Sequence, residues 1–207
     1  MDITGLILAG GRGTRMGSVD KGLVTLVGKP MVAHVIERLG PQVGTLMINA
    51  NQNRDTYAAY GVPVWPDALP DFAGPLAGLQ TGLLHCATPY LVTAPCDSPF
   101  LPLNLVERLA QGLQAQGADL AVAVTGAEGA HSQRQPQPVF CLAHKKLLPH
   151  LTTFLGEGGR KVERWYADLK VAEVWFADES AFRNINTRDE LHAQESAAFV
   201  VGHTATP

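Results

Sequence analysis

The chain is short of the residues that build covalent or metal frameworks. Its three cysteines, Cys86, Cys96 and Cys141, are odd in number and form no C-x-x-C pair. That excludes a disulfide framework and a thiolate zinc site, and the three are read as small buried residues in a reducing compartment. The histidines are scattered, with no H-E-x-x-H pairing, and are read as surface or packing residues. No apolar run approaches the ~18 residues that cross a bilayer. The start, MDITGLILAGG, lacks the basic opening and long apolar stretch of a signal peptide. The expectation is a cytoplasmic protein with no membrane partner. Net charge is scarce too: at −3 it gives no electrostatic case for nucleic acid as the partner.

What is present is a globular composition. Hydrophobic residues at 46% and charged residues at 17% exclude a disordered chain. The length of 207 residues fits one domain with a substantial core and is short for two. No internal repeat or linker divides it. The expectation is a single domain over residues 1–196 followed by a small, polar, disordered tail at 197–207.

Strand and helix patterns alternate along the chain. Ile3–Ala9, Thr45–Asn49, Val62–Trp65, Tyr90–Ala94, Asp119–Val124, Pro138–Leu142 and Val171–Phe176 read as strands. Helices are expected from Pro30, as its first residue, through Leu39, and over Asp55–Tyr60, Leu76–Cys86, Leu103–Gln116, Lys145–Leu155, Arg160–Tyr166 and Thr187–Glu195. This alternation predicts a three-layer α/β/α sandwich around a mostly parallel, doubly wound sheet. Ligands of such sheets lie at the carboxyl ends of the strands, and the polar clusters at Gly10–Lys21, Asn49, Asp67 and Asp97 all fall at such ends.

The stretch LAGGRGTRMG directly follows the first strand. Glycines let backbone N–H groups approach an anion, and Arg12, Arg15 and Lys21 add positive charge, the environment a triphosphate needs. The phosphate P-loop pattern fails, because Pro30 follows Gly28-Lys29 where Ser or Thr belongs. The dinucleotide fingerprint fails as well: Gly11 and Gly13 match, but Met16 stands where the third glycine belongs. Lys29 is read as solvent-facing.

Asp97 closes the strand YLVTAPCD. It is read as a hard oxygen ligand for Mg²⁺ in preference to a helix cap or a turn aspartate. Asp67, in WPDALPD, is either a turn residue or a polar contact to ligand. Asn49 and Asn51 are either turn formers or readers of a nucleoside edge. The loop GPLAG, Gly74–Gly78, leads into a helix whose first amides can face a ligand.

Taken in order, LILAGGRGTRMG, DKG at Asp20–Gly22, INAN at Ile48–Asn51, PD at Pro66-Asp67, GPLAG and PCDSP at Pro95–Pro99 resemble the molybdenum cofactor guanylyltransferases. These belong to the wider nucleotide-triphosphate transferases, of Rossmann-like, glycosyltransferase-A-like fold. The resemblance spans about residues 3–195. It implies transfer of GMP from GTP to molybdenum-loaded molybdopterin, with release of pyrophosphate and Mg²⁺ as cofactor. It implies that Leu8, Ala9 and Gly10 contact GTP, that Lys21 binds its phosphates, and that Asn49 and Asp67 contact the nucleoside part; Gly11 and Gly78, in the two glycine loops, are counted among the nucleotide-binding residues as well. Asp97 would bind both Mg²⁺ and GTP, with Arg15, Lys21 and Asp97 as the catalytic set. Asn184-Ile185-Asn186-Thr187 stands for the family's N-x-N-T near the pterin side. A cofactor chaperone and target molybdoenzymes are implied partners. Gly13-Thr14-Arg15 also reads like sugar-phosphate nucleotidyltransferases, whereas Met16-Gly17 and Asp20-Lys21-Gly22 favour the molybdopterin branch. The alternatives left open are a CTP-dependent molybdopterin transferase, a sugar-phosphate nucleotidyltransferase and a non-catalytic GTP-binding delivery protein. The segment Gly126–Gln137 matches no pattern.

Overall fold

Along β1 (Ile3–Leu8) apolar side chains point in turn to two opposite sides. Ile3 and Ile7 join one buried cluster, and Leu6 joins another. A strand buried on both faces needs a layer of helices on each side. The first cluster is completed by α1 (Met31–Leu39) and α4 (Leu105–Gln116), together with Tyr57 of α2 (Arg54–Ala58). The second is completed by α3 (Pro75–His85), α5 (Leu148–Gly156) and α6 (Val162–Trp165). This computed structural model describes residues 1–9, 20–68, 74–126, 134–187 and 189–193.

Between the helical layers lies a seven-stranded sheet. Its other strands are β4 (Thr45–Asn49), β5 (Val64–Trp65), β6 (Tyr90–Pro95), β7 (Leu120–Thr125), β8 (Gln135–His144) and β9 (Val171–Phe176). The order is β5-β4-β1-β6-β8-β7-β9. All pairs are parallel except the two made by β8, which runs against β6 and β7. The mostly parallel α/β architecture read from the sequence is therefore present, with β8 as its one reversed strand. A small antiparallel pair, β2 (Thr25–Leu26) and β3 (Lys29–Pro30), stands apart from the sheet. Among the described residues no helix is long and apolar enough to cross a membrane.

Several boundaries differ from the sequence reading. Pro30 ends β3 and caps α1, so the helix begins at Met31. Helix α4 begins at Leu105, because Leu103 is 67% exposed and contributes nothing to the core. The helix expected from Lys145 opens with one 3-10 turn, Lys145–Leu147, before α5. Of the expected helix at Thr187–Glu195, residues 189–193 are helical. The Thr187 hydroxyl accepts from the Glu190 N–H (3.2 Å), and Glu190 Oε2 accepts from the Thr187 N–H (3.0 Å). This reciprocal capping pair fixes where the helix starts. Glu190 also accepts from the Asn186 N–H, which, as the largest influence, holds its carboxyl below the usual range. The tail at 197–207 and residues 127–133 of the Gly126–Gln137 segment lie outside the described residues. All three cysteines are free and buried, as expected.

Candidate active site

Strand register brings four loop starts to one level. Leu8 stands opposite Asn49 of β4 and Pro95 of β6, and Asn49 stands opposite Trp65 of β5. From β1 the chain adds β4 and β5 on one side, then returns to add β6 on the other. At such a reversal the loops leaving neighbouring strands diverge and open a crevice. Beyond the strand ends the backbone stays paired for one more residue. The Ala9 N–H donates to the Asn49 carbonyl at 2.8 Å, and the Cys96 N–H to the Leu8 carbonyl at 3.0 Å.

Asp97 follows β6 and is 7% exposed. It caps no helix, since α4 starts at Leu105 after Asn104, but it does lie in the turn that leaves β6. Lys21 Nζ donates to Asp97 Oδ2 at 3.1 Å and to Asn186 Oδ1 at 2.5 Å. An ammonium has three donors and a carboxylate has two oxygens. Among the described residues, one donor of Lys21 and one oxygen of Asp97 therefore remain for a ligand. The segment carrying Asn186 is tied to the same strand end. The Ile185 N–H donates to the Asp97 carbonyl at 2.9 Å, and the Ser98 hydroxyl donates to Asn184 Oδ1 at 2.6 Å.

Asn49, Asn51 and Asp67 form a second cluster. Asn49 Nδ2 donates to Asp67 Oδ1 (2.9 Å) and to the Trp65 carbonyl (3.1 Å). Asn51 Nδ2 donates to Asp67 Oδ2 (2.8 Å), and the Asp67 N–H returns a bond to Asn51 Oδ1 (2.8 Å). Each carboxylate oxygen of Asp67 thus accepts from an asparagine side chain. Gly78, in the first turns of α3, closes over this cluster. A Cβ there would stand 2.5 Å from both Asn49 Oδ1 and Leu8 Cδ2. Gly78→Ala gains about 1 kcal/mol of helix propensity but meets an overpacking cost of about 1–3 kcal/mol. Asn49 is held by two hydrogen bonds and yields poorly, so the expected net is a loss of about 1 kcal/mol, read as a lower urea midpoint.

Of the residues singled out from the sequence, the structure brings Lys21 and Asp97 into contact, and joins Asn49 with Asp67 beneath Gly78 and beside Leu8. Ala9 sits on the strand end between Asn49 and Leu8. Gly10, Gly11, Arg12 and Arg15 lie outside the described residues. Lys29, expected to face solvent, pairs with Glu37 at 2.6 Å on the surface of α1. Asp20 entered the sequence reading only within the DKG motif, with no role of its own, and Asn53 and Tyr57 were missed; the three meet beside Lys21. Their signal was the four-residue spacing of Asn53 and Tyr57, which sets both on one side of α2.

Among the described residues no three His, Cys, Asp or Glu side chains gather around a metal-sized gap. Magnesium does not require such a cage. It keeps several waters and is commonly bound by one or two carboxylates plus substrate phosphates. Asp97, with one oxygen on a cation already and one to spare, fits that mode.

Residues 5–172 match the model of the MobA-like NTP transferase domain. The chain is 60% identical over 195 residues to the molybdenum cofactor guanylyltransferase of Cupriavidus necator, covering 94% of this chain and 97% of that one. The crystal structure of molybdopterin-guanine dinucleotide biosynthesis protein A from Archaeoglobus fulgidus superposes with a TM-score of 0.73 at 23% identity, covering 95% of this chain and 99% of that one. A CMP:2-keto-3-deoxy-manno-octonic acid synthetase complexed with CTP superposes with a TM-score of 0.76 at 14% identity, covering 97% and 100%. At these identities the two superpositions speak for the fold alone.

Proposed function

The chain belongs to the MobA-like NTP transferase family and is a nucleotidyltransferase of molybdenum cofactor biosynthesis, and from that premise we propose that it transfers GMP from GTP to molybdenum-loaded molybdopterin. The observation that carries the reading is the meeting of Lys21, Asp97 and Asn186 at the sheet's reversal point. That is where a nucleotide lies in folds of this kind. The curated relative's activity is the ground for choosing guanine and molybdopterin. The fold does not choose the base, since a CTP-bound enzyme shares it.

The proposed chemistry is an in-line displacement. An oxygen of the terminal phosphate of molybdopterin forms a bond to the α-phosphorus of GTP. The bond from that phosphorus to the β-bridging oxygen breaks, and pyrophosphate leaves with the electron pair. A phosphate monoester has its second pKa near 6, so the attacking oxygen is already ionised at neutral pH and needs no general base. Catalysis then rests on positioning and on offsetting negative charge. Lys21, with Arg15, would face the transferring phosphate and the departing pyrophosphate. Asn49, Asp67 and Gly78, with the strand end at Leu8, Ala9, Gly10 and Gly11, would hold the nucleoside and phosphate ends of GTP. Nucleotidyltransferases of this family commonly use a divalent metal, and Asp97 would hold Mg²⁺ here. Such an ion, held by Asp97, would supply charge neutralisation for the triphosphate. Delivery of the product to target molybdoenzymes, through a cofactor chaperone, would follow.

The test is pyrophosphate release from each of the four ribonucleoside triphosphates, with Mg²⁺ and molybdenum-loaded molybdopterin. Release with GTP alone, dependent on the pterin, is expected. Release with CTP alone would make the enzyme a cytidylyltransferase, and pterin-independent release with a sugar phosphate would move it to that branch. Tight GTP binding without release would make it a delivery protein.

A further inference from the structure

Lys21 stands on one 3-10 turn, Lys21–Leu23, and that turn is held from an unexpected direction. Asp20 precedes it and caps it: the Gly22 N–H donates to Asp20 Oδ1 at 3.2 Å. The same carboxylate takes two further bonds from α2. The Tyr57 hydroxyl donates to Oδ1 at 2.5 Å, and Asn53 Nδ2 donates to Oδ2 at 3.0 Å. Both oxygens of Asp20 are therefore engaged by the protein itself.

Two features show that this is not ordinary helix capping. Asn53 occupies the N-cap position of α2, where an asparagine side chain usually accepts from its own helix. Here it makes no such bond and its backbone is left-handed, with φ 51° and ψ 31°. A non-glycine residue in that region carries strain that asparagine tolerates better than most. The side chain thus gives up its own helix to reach Asp20, which is 33 positions away. Tyr57 is fully buried, and burial, then the neighbouring acidic groups, push its phenol far above the usual range. It stays protonated and can only donate to the carboxylate.

Gly22 completes the arrangement. A Cβ at this position would lie 2.5 Å from the Tyr57 hydroxyl and 3.2 Å from both Cβ and Sγ of Cys96. Absence of a side chain is what lets the phenol pass over the turn to Asp20. Cys96 directly precedes Asp97, so the turn bearing Lys21 packs against the strand end bearing Asp97.

We infer that Asp20, Asn53 and Tyr57 are positioning residues that fix the Lys21 ammonium against Asp97, through a carboxylate locked between α2 and the Lys21 turn. The inference rests on the reading of Lys21 as a ligand of the GTP phosphates. In this role none of the three needs to touch substrate: both oxygens of Asp20 already accept from the protein, and the Tyr57 hydroxyl donates to Asp20. Their effect reaches the nucleotide only through Lys21. Displacement of a charged group by about 1 Å costs up to about a hundredfold in such sites, so a loosened turn has a measurable consequence.

The test uses the full chain in five forms: wild type, Tyr57→Phe, Asn53→Gly, Lys21→Ala, and Lys21→Ala combined with Tyr57→Phe. Two quantities are read, the exchange rate of the Gly22 and Leu23 amides and the dissociation constant for GTP with Mg²⁺. Tyr57→Phe is expected to speed exchange at Gly22 about tenfold and to weaken GTP binding about fivefold. In the Lys21→Ala background the same substitution is expected to change GTP binding by less than about twofold, because coupled sites do not add. Should Tyr57→Phe disturb the core, Asn53→Gly carries the same test, since glycine adopts the left-handed backbone freely. Unchanged Gly22 exchange in both variants would overturn the inference. So would an equal loss of GTP affinity in the presence and absence of the Lys21 side chain. If Lys21→Ala binds GTP as wild type does, the reading of Lys21 as a phosphate ligand fails instead, while the Gly22 rate still decides whether the network holds the turn.

Discussion

Asp97→Asn is expected to lower the rate of pyrophosphate release about a thousandfold while leaving the protein folded. The substitution keeps the size of the side chain and keeps an oxygen that can accept from Lys21 Nζ. It removes the negative charge, and with that one oxygen turned to Lys21 it puts an amide nitrogen, which cannot bind a divalent ion, in place of the other. Asp97 is nearly buried and its backbone carbonyl, not its side chain, receives the Ile185 N–H. The tie between β6 and the Asn184–Asn186 segment therefore survives the change. The loss should fall on the chemical step, and raising Mg²⁺ should recover little of it. Steady-state rates across a magnesium series, with circular dichroism as the control for folding, make the measurement. A variant turning over at a rate near wild type would remove Asp97 from the metal site.

Lys21→Ala is expected to reduce kcat/KM for GTP about a hundredfold to a thousandfold, with KM and kcat both affected. Two losses combine. The triphosphate loses a cation, and the Asp97 carboxylate, with its side chain only 10% exposed, loses its partner. An unpaired, largely buried carboxylate next to an incoming polyanion repels it, since like charges at short range in a half-desolvated site are poorly screened. Lys21→Arg should rescue little. The guanidinium is planar and larger than the ammonium, and the gap between Asp97 Oδ2 and Asn186 Oδ1 is sized for a single nitrogen. Isothermal titration of GTP separates the binding part from the rate. Normal GTP affinity in the alanine variant would sink the phosphate role.

The sheet was legible because its strands are apolar on both faces, and a run such as Leu6-Ile7-Leu8-Ala9 followed by two glycines has few other readings. The reversed direction of β8 was not, because direction is a property of pairing and leaves no mark on the run itself. Among the site residues, Lys21 and Asp97 could be placed near each other in advance because each follows a strand or its loop at the ligand end. What could not be foreseen is that Asn186 closes the triangle, and that Asp20 is held by α2. Both depend on contacts between segments with no pattern in common. Asn53 is the plainest example. Nothing in the sequence singles it out, and in the structure it stands before α2 with a left-handed backbone while its amide reaches Asp20. Asp67 and Asn51 were a different case: each had two readings, a turn or a ligand contact, and what the sequence did not show is that the two side chains bond to each other.

The bond between Lys21 and Asn186 spans 165 positions of the chain. Its entropic cost of closure grows only slowly with that separation, but nothing local can form it early. During synthesis, Lys21, the Asp20 lock and Asp97 are all present long before residue 186 leaves the ribosome. Until then Lys21 has one partner of its two, and the strand end at Asp97 lacks the cover of the Asn184–Asn186 segment. The polar cluster at the end of β6 is therefore completed only once residues 184–186 have been made, long after the strands that flank it.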